Sequence, residues 1–271
     1  MWIDIIDLRE FYASPMGRAV RRLIGQRLRA LWPASGAAGP GVRMLGLGFA
    51  TPFLSLFEGE SSHLVAAMPA GQGVMAWPDP AANRVALADE QALPFPDRAF
   101  ERLLLVHCVE GSPALRPMMR ECWRVLADGG RLIVVVANRR SLWSRAEASP
   151  FAQGRPYSMG QITRLLRENL FVPLQTTTAL FLPPVGWRLF GRFAFGFERV
   201  GVRWFSNLGG ALVIEAEKQI YAPVNAAPAV SGARMPAKVA IKAAGNLNAF
   251  SAKVGTGFAQ KMRRKSKTLA P

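Results

Sequence analysis

Some short stretches hold side chains whose types and spacing could do chemistry. In residues 106–112, "VHCVEGS", His107 and Glu110 stand just past an apolar run. A histidine there can accept a proton from a substrate oxygen or nitrogen. It can equally pack beside a ligand or bond a backbone carbonyl. In residues 43–54, "RMLGLGFATPFL", Gly46, Gly48 and the small Ala50 follow an apolar lead-in. Glycines let a backbone approach a ligand, and in α/β sheets ligands sit where the carboxyl edge opens. Asp89 and Glu90 close another short apolar run, "RVALADE". In residues 138–158, Arg139, Arg140, Arg145 and Arg155 are interleaved with Trp143, Phe151 and Tyr157. Arginine suits a carboxylate or phosphate on a substrate, so this stretch reads as an acceptor-binding lid. The competing reading is a structural loop that pairs with Glu147 and caps a helix at Ser158.

The elements that must position these residues follow from periodicity. Residues 1–32 read as helical, with Ser14 as N-cap and Pro15 at the first helical position of a helix over 14–32. Its Val20, Leu23, Ile24, Leu28 and Leu31 recur at helical spacing, and arginines fill the other face. "PASGAAGPG" then breaks the chain. Strands are predicted at 42–47, 63–68, 84–88 and 102–106, and in the buried-type run "DGGRLIVVVAN". Helices are predicted at 51–58, 113–127 and 158–169. Two last strands, 174–182 and 210–217, flank an aromatic insert over 183–208 and suggest a terminal antiparallel hairpin. Strands alternating with helices give an α/β fold with a doubly wound, mostly parallel sheet.

Composition bounds what this fold can serve. The chain has 271 residues, half of them hydrophobic, enough for one large core and an appendage. No run of eighteen apolar residues occurs, so no integral membrane segment is expected. The acids Asp4, Asp7 and Glu10 are wrong for a secretory signal, and a cytoplasmic location is expected. Cys108 and Cys122 cannot form a disulfide framework or zinc spacing, and with His63 and His107 they indicate no metal site. The cysteines read as core residues. The formal net charge is +16, and nine of these charges lie beyond Tyr221, where no acid occurs. This basic tail, residues 221–271, suits anionic partners and reads as flexible. Residues 1–220 read as the folded unit.

Taken in order, "RMLGLGFA", "LADEQALPFPDRAFERLLLVHCVE" and "MMRECWRVLADGGRLIVVVAN" resemble successive motifs of the class I S-adenosylmethionine-dependent methyltransferases of the type 11 branch. The resemblance covers roughly residues 40–180. It implies a Rossmann-like fold and S-adenosylmethionine as cofactor. Gly46, Gly48, Phe49 and Ala50 would line the loop under its methionine portion. Asp89 with Glu90 stands where the family's acid contacts the adenine. His107 stands beside the methyl-transfer position and is the candidate base. The sequence departs from the pattern in two places. Met44 replaces the acid before the glycines. Met68 and Gln72 stand where a carboxylate normally holds the ribose hydroxyls. Arg140, Trp143, Arg155 and Tyr157 would bind the acceptor.

The expected function is methyl transfer to an acceptor that the sequence does not name. The alternative is a non-catalytic methyltransferase-like scaffold that binds protein, nucleic acid or lipid through its basic surface. A nicotinamide dehydrogenase would want a fuller glycine fingerprint and an acid or arginine after the second strand.

Overall fold

The computed structural model describes residues 2–33, 41–78, 82–147, 149–181, 183–184 and 208–220. The basic tail and most of the aromatic insert lie outside the described residues.

The chain opens with α1 (Ile5–Ala13) and α2 (Pro15–Leu31). Ser14 ends the first and starts the second: its hydroxyl accepts from the Gly17 N–H at 3.0 Å, with Pro15 at the first position of α2. This satisfies an amide that has no partner within the helix. The apolar stripe Val20, Leu23, Ile24, Leu28 and Leu31 is buried as its spacing requires.

Seven strands follow: β1 (Arg43–Gly48), β2 (His63–Pro69), β3 (Val85–Ala88), β4 (Phe100–Val106), β5 (Leu126–Ala137), β6 (Phe171–Ala179) and β7 (Ala211–Lys218). Their order is β3-β2-β1-β4-β5-β7-β6. β3, β2, β1, β4 and β5 pair in parallel, while β7 runs antiparallel to both β5 and β6. Helices α3 (Thr51–Leu54), α4 (Leu115–Val125) and α5 (Met159–Glu168) lie between strands. The fold is therefore a Rossmann-like, mostly parallel sheet with a terminal antiparallel strand.

Two buried clusters cover the sheet. One joins α1, α2 and α3 to the alternate residues Met44, Leu104, Val106, Ile133 and Val135. The other packs Leu45, Leu47, Leu103, Leu105, Leu132 and Val134 against α4 and α5. The side-chain period of two thus sends each central strand into both clusters, which is why these strands read as unbroken apolar runs. Cys108 and Cys122 are buried and unpaired within the second cluster.

Arg124 ties α4 to the loop after β3. Its guanidinium donates to the Leu93 and Phe95 carbonyls at 2.9 and 2.8 Å and pairs with Glu121 and Asp97, each at 2.7 Å. Glu121 in turn accepts the Leu93 N–H at 2.8 Å. The "LPFPD" and "RVL" phrases are thus two halves of one clasp.

Candidate active site

The carboxyl ends of β2, β1 and β4 lie side by side, and the sequence-predicted cofactor residues gather there. At the end of β1, Gly48 takes φ +78°, and Phe49 N–H donates to the Val106 carbonyl at 2.9 Å. A Cβ on Gly48 would fall onto that carbonyl oxygen and come within 2.7 Å of Cys108 Cβ. The chain's own close packing therefore demands this glycine, apart from any ligand. Gly46 is similar: a Cβ there would meet Ala50 Cβ and Leu54 Cδ1 at 2.7 Å. Phe49 and Ala50 are buried.

Met68 is buried at the end of β2. The turn after it brings in Gln72, only 1% exposed. Gln72 Nε2 donates to the His107 carbonyl at 3.1 Å, so this side chain reaches from the β2 edge to the β4 edge. Its Oε1 is buried and has no hydrogen-bond partner. At the end of β3, Asp89 is exposed and accepts the Gln91 N–H at 2.8 Å through Oδ1, while Glu90 is buried.

His107 ends β4 in the left-handed region, φ +52°. Such conformations are uncommon for residues with a Cβ and cluster at functional sites. The imidazole is buried, hydrogen-bonded through Nε2 to the Tyr12 hydroxyl at 2.8 Å, and 4.9 Å from Phe151 between ring centroids. Burial pushes its pKa down to about 3. Burial, and then the charge of Glu110, raise the Tyr12 phenol, so it keeps its proton.

Glu110 follows three residues on and is 4% exposed. Its Oε1 accepts the Ala137 N–H from the end of β5 at 2.8 Å, and its Oε2 has no partner. Burial raises its pKa to about 7, opposed by its backbone hydrogen bonds.

The N-terminal segment roofs this edge. Ile5 N–H donates to the Gln72 carbonyl at 2.9 Å, Trp2 packs on Gly71, and Tyr12 stacks near Phe49 and Phe53 at 5.5 and 5.7 Å. Sequence reasoning gave Tyr12 no role. No local signal marks it, because its partner lies 95 residues away.

The predicted acceptor residues do not share one surface. Trp143 is buried against Phe151, with ring centroids 5.8 Å apart, and Gly210 lies flush on it. Arg155 and Tyr157 line an outer groove of about 500 Å³ together with Arg139, Gln161 and Arg164. Arg140 is exposed on the turn after β5. The backbone of this stretch is nonetheless fixed to the site: Tyr157 N–H donates to the Ala137 carbonyl at 2.9 Å, and Arg155 N–H to the Glu110 carbonyl at 3.0 Å.

Comparison with known proteins agrees with this architecture. Residues 52–134 match the family model described as a methyltransferase domain, beginning just after the glycine turn. Among solved structures, one from Thermotoga maritima is described as an S-adenosylmethionine-dependent methyltransferase, a possible histamine N-methyltransferase. It is 19% identical, with TM-score 0.52, covering 79% of this chain and 96% of that one. An S-adenosylmethionine-dependent methyltransferase from Archaeoglobus fulgidus is 17% identical, also with TM-score 0.52, covering 79% and 98%. At these identities the likeness speaks to fold. No curated protein matches the chain. The family match over residues 52–134, the ordered motifs and the sheet order agree in their likeness to the S-adenosylmethionine-dependent methyltransferases, whose Rossmann-like fold this chain shares.

Proposed function

We propose that this protein transfers a methyl group from S-adenosylmethionine, held at the carboxyl edge of β1, β2 and β4, to an acceptor. The observation that carries this is Gln72 Oε1. It is a buried acceptor without a partner, on the segment where the family places the carboxylate that takes the ribose hydroxyls. Buried polar atoms are nearly always satisfied, and a ligand hydroxyl is a natural partner for one that is not. The residues present thus fit the cofactor's polar groups: Gln72 for the ribose, Asp89 with Glu90 for the adenine, and the turn at Gly46–Ala50, with Phe49 and Met68, for the rest. When bound, the cofactor supplies a methyl carbon made electrophilic by a sulfonium.

The chain's own groups position the reactants and exclude water. Tyr12 and Phe151 pack on His107, and Phe49 and Phe53 back Tyr12 in turn. At a pKa of about 3, His107 stays neutral and offers a hydrogen-bonding wall rather than a store for protons. Alignment in a dry site is the larger part of such a reaction. In this reading residues 1–220 are the cytoplasmic catalytic unit, and the tail 221–271 gives affinity for anionic partners.

Calorimetric titration with S-adenosylmethionine and S-adenosylhomocysteine tests the proposal. Micromolar binding, weakened at least tenfold by Gln72→Ala and by Asp89→Ala, is expected. No binding to the intact protein at millimolar cofactor refutes it.

A further inference from the structure

We propose that Glu110 is a catalytic residue that takes a proton from the methyl acceptor through Oε2, and that the acceptor is a protonated amine. This rests on the methyltransferase reading above.

Three observations carry it. First, Glu110 Oε2 is a carboxylate oxygen, buried and unpartnered, in a side chain whose other oxygen is fixed by the Ala137 N–H. Leaving such an atom unpaired is costly, so it marks a place where a donor belongs. Second, the residue is clamped at the carboxyl edge. Its carbonyl accepts from Arg155 N–H at 3.0 Å, and Gly154 lies so near that a Cβ there would come within 2.7 Å of that carbonyl oxygen. The main chain of Glu110 is thus fixed by residues 154–155 and its carboxylate by the Ala137 N–H on Oε1, so Oε2 is held in place rather than swinging in solvent. Third, aromatic side chains lie within reach of the Glu110 charge, which acts on the Tyr12 and Tyr157 phenols. Phe151 stands between His107 and Trp143, and Tyr12 closes the other side of His107. Ring faces attract a cation, and a carboxylate completes a site for an ammonium.

The proton balance favours the same acceptor. The ammonium gives one proton to Oε2, leaving a neutral amine and a neutral carboxyl. The freed lone pair forms the new nitrogen–carbon bond while the sulfonium's bond to that carbon breaks and its electron pair stays on sulfur. An ammonium near the ordinary amine value of about 10 is within reach of a carboxyl raised by burial; a hydroxyl, near the value of about 15.7 for bulk water, is not. The titratable groups around Glu110 are Tyr12 from α1, His107 and Cys108 after β4, and Tyr157 after the arginine-rich stretch. Burial holds Tyr12, Cys108 and Tyr157 protonated and His107 neutral. Glu110 is the group of this set that changes charge near neutrality.

The test is binding, read by calorimetry on the full chain with 2-phenylethylamine, 2-phenylethanol and phenylacetate as probes, with and without S-adenosylhomocysteine. The amine is expected to bind at least tenfold more tightly than the alcohol at pH 8. Glu110→Gln is expected to erase that preference. In the unmodified protein the preference is expected to fade as pH drops below about 7, where Glu110 takes up its proton while the probe keeps its own. This pH series serves even where the variant does not fold. Equal affinity for amine and alcohol, a preference that survives Glu110→Gln, or no amine binding at millimolar concentration overturns the inference. Binding of S-adenosylhomocysteine in the same experiment separates that failure from failure of the methyltransferase reading.

Discussion

Replacing Glu110 by Gln is expected to change how stability depends on pH, in a way set by two neighbours with opposite shifts. His107 falls from 6.5 to about 3 in the folded protein. Below pH 6.5 the unfolded chain binds a proton there that the folded one refuses, so this residue makes stability fall as pH drops from 6.5 to 3. Glu110 rises from 4.5 to about 7. Between those values the folded protein keeps a proton that the unfolded chain releases, so the stability Glu110 contributes is full below 4.5 and lost as pH rises to 7. From pH 4.5 to 6.5 the two slopes oppose and nearly cancel. Glu110→Gln removes one of them. At about 1.4 kcal/mol per pH unit, the variant gains about 3 kcal/mol on the parent between pH 4.5 and 7. For a domain of this size that is about 6–12 °C in Tm. Urea unfolding of both proteins at pH 4.5, 6 and 8 measures it. A variant-minus-parent difference that is constant across the series refutes the burial argument for Glu110.

The Arg124→Lys variant keeps a charge but loses the fork that reaches Leu93, Phe95, Asp97 and Glu121 together; a loss of about 2–3 kcal/mol in urea unfolding and a weaker cofactor Kd through the loosened Asp89 loop are expected. Gly48→Ala adds a left-handed penalty of about 1–2 kcal/mol to a contact with backbone that cannot give, so a calorimetric Tm at least about 6 °C lower is expected, and an unchanged Tm refutes the packing account. Tyr12→Phe leaves His107 Nε2 without its partner at a cost of about 1–3 kcal/mol, and stopped-flow binding is expected to show faster cofactor association because the roof is held less firmly.

Much of this fold was legible in the sequence because its signals are local. The apolar runs of β1, β4 and β5 are buried on both faces, and Ser14–Pro15 starts a helix where its chemistry says it should. Ser158 and Gln161 form a reciprocal capping box at the start of α5. The motifs that carried the family resemblance were readable for a structural reason too: Arg124 binds the "LPFPD" loop directly, and Gly48 is required by Val106 and Cys108. The composition of the site's walls was less legible. Trp143 sits among arginines in sequence, which suggested a lid, yet Gly210 from the far side of the insert seats it in the core. Gln72 reaches His107, and Tyr12 reaches the same residue from α1, 95 residues away. Such contacts depend on strand order rather than on spacing.

The roof over the site also has a consequence for the order of folding. The hydrogen-bond partner of Tyr12 lies 95 residues further along the chain, and Gln72, which holds Ile5, must wait for its own turn after β2. Closing that long loop is entropically expensive, so α1 docks late, onto a sheet already assembled. What docks last is also what opens first: α1 can lift as a cooperative unit without disturbing any strand pair. Amide exchange in residues 5–12 is therefore expected to be faster than in β1 and β4, and to slow when S-adenosylhomocysteine binds. Helix α1 thus serves as a built-in reporter of whether the edge beneath it is filled.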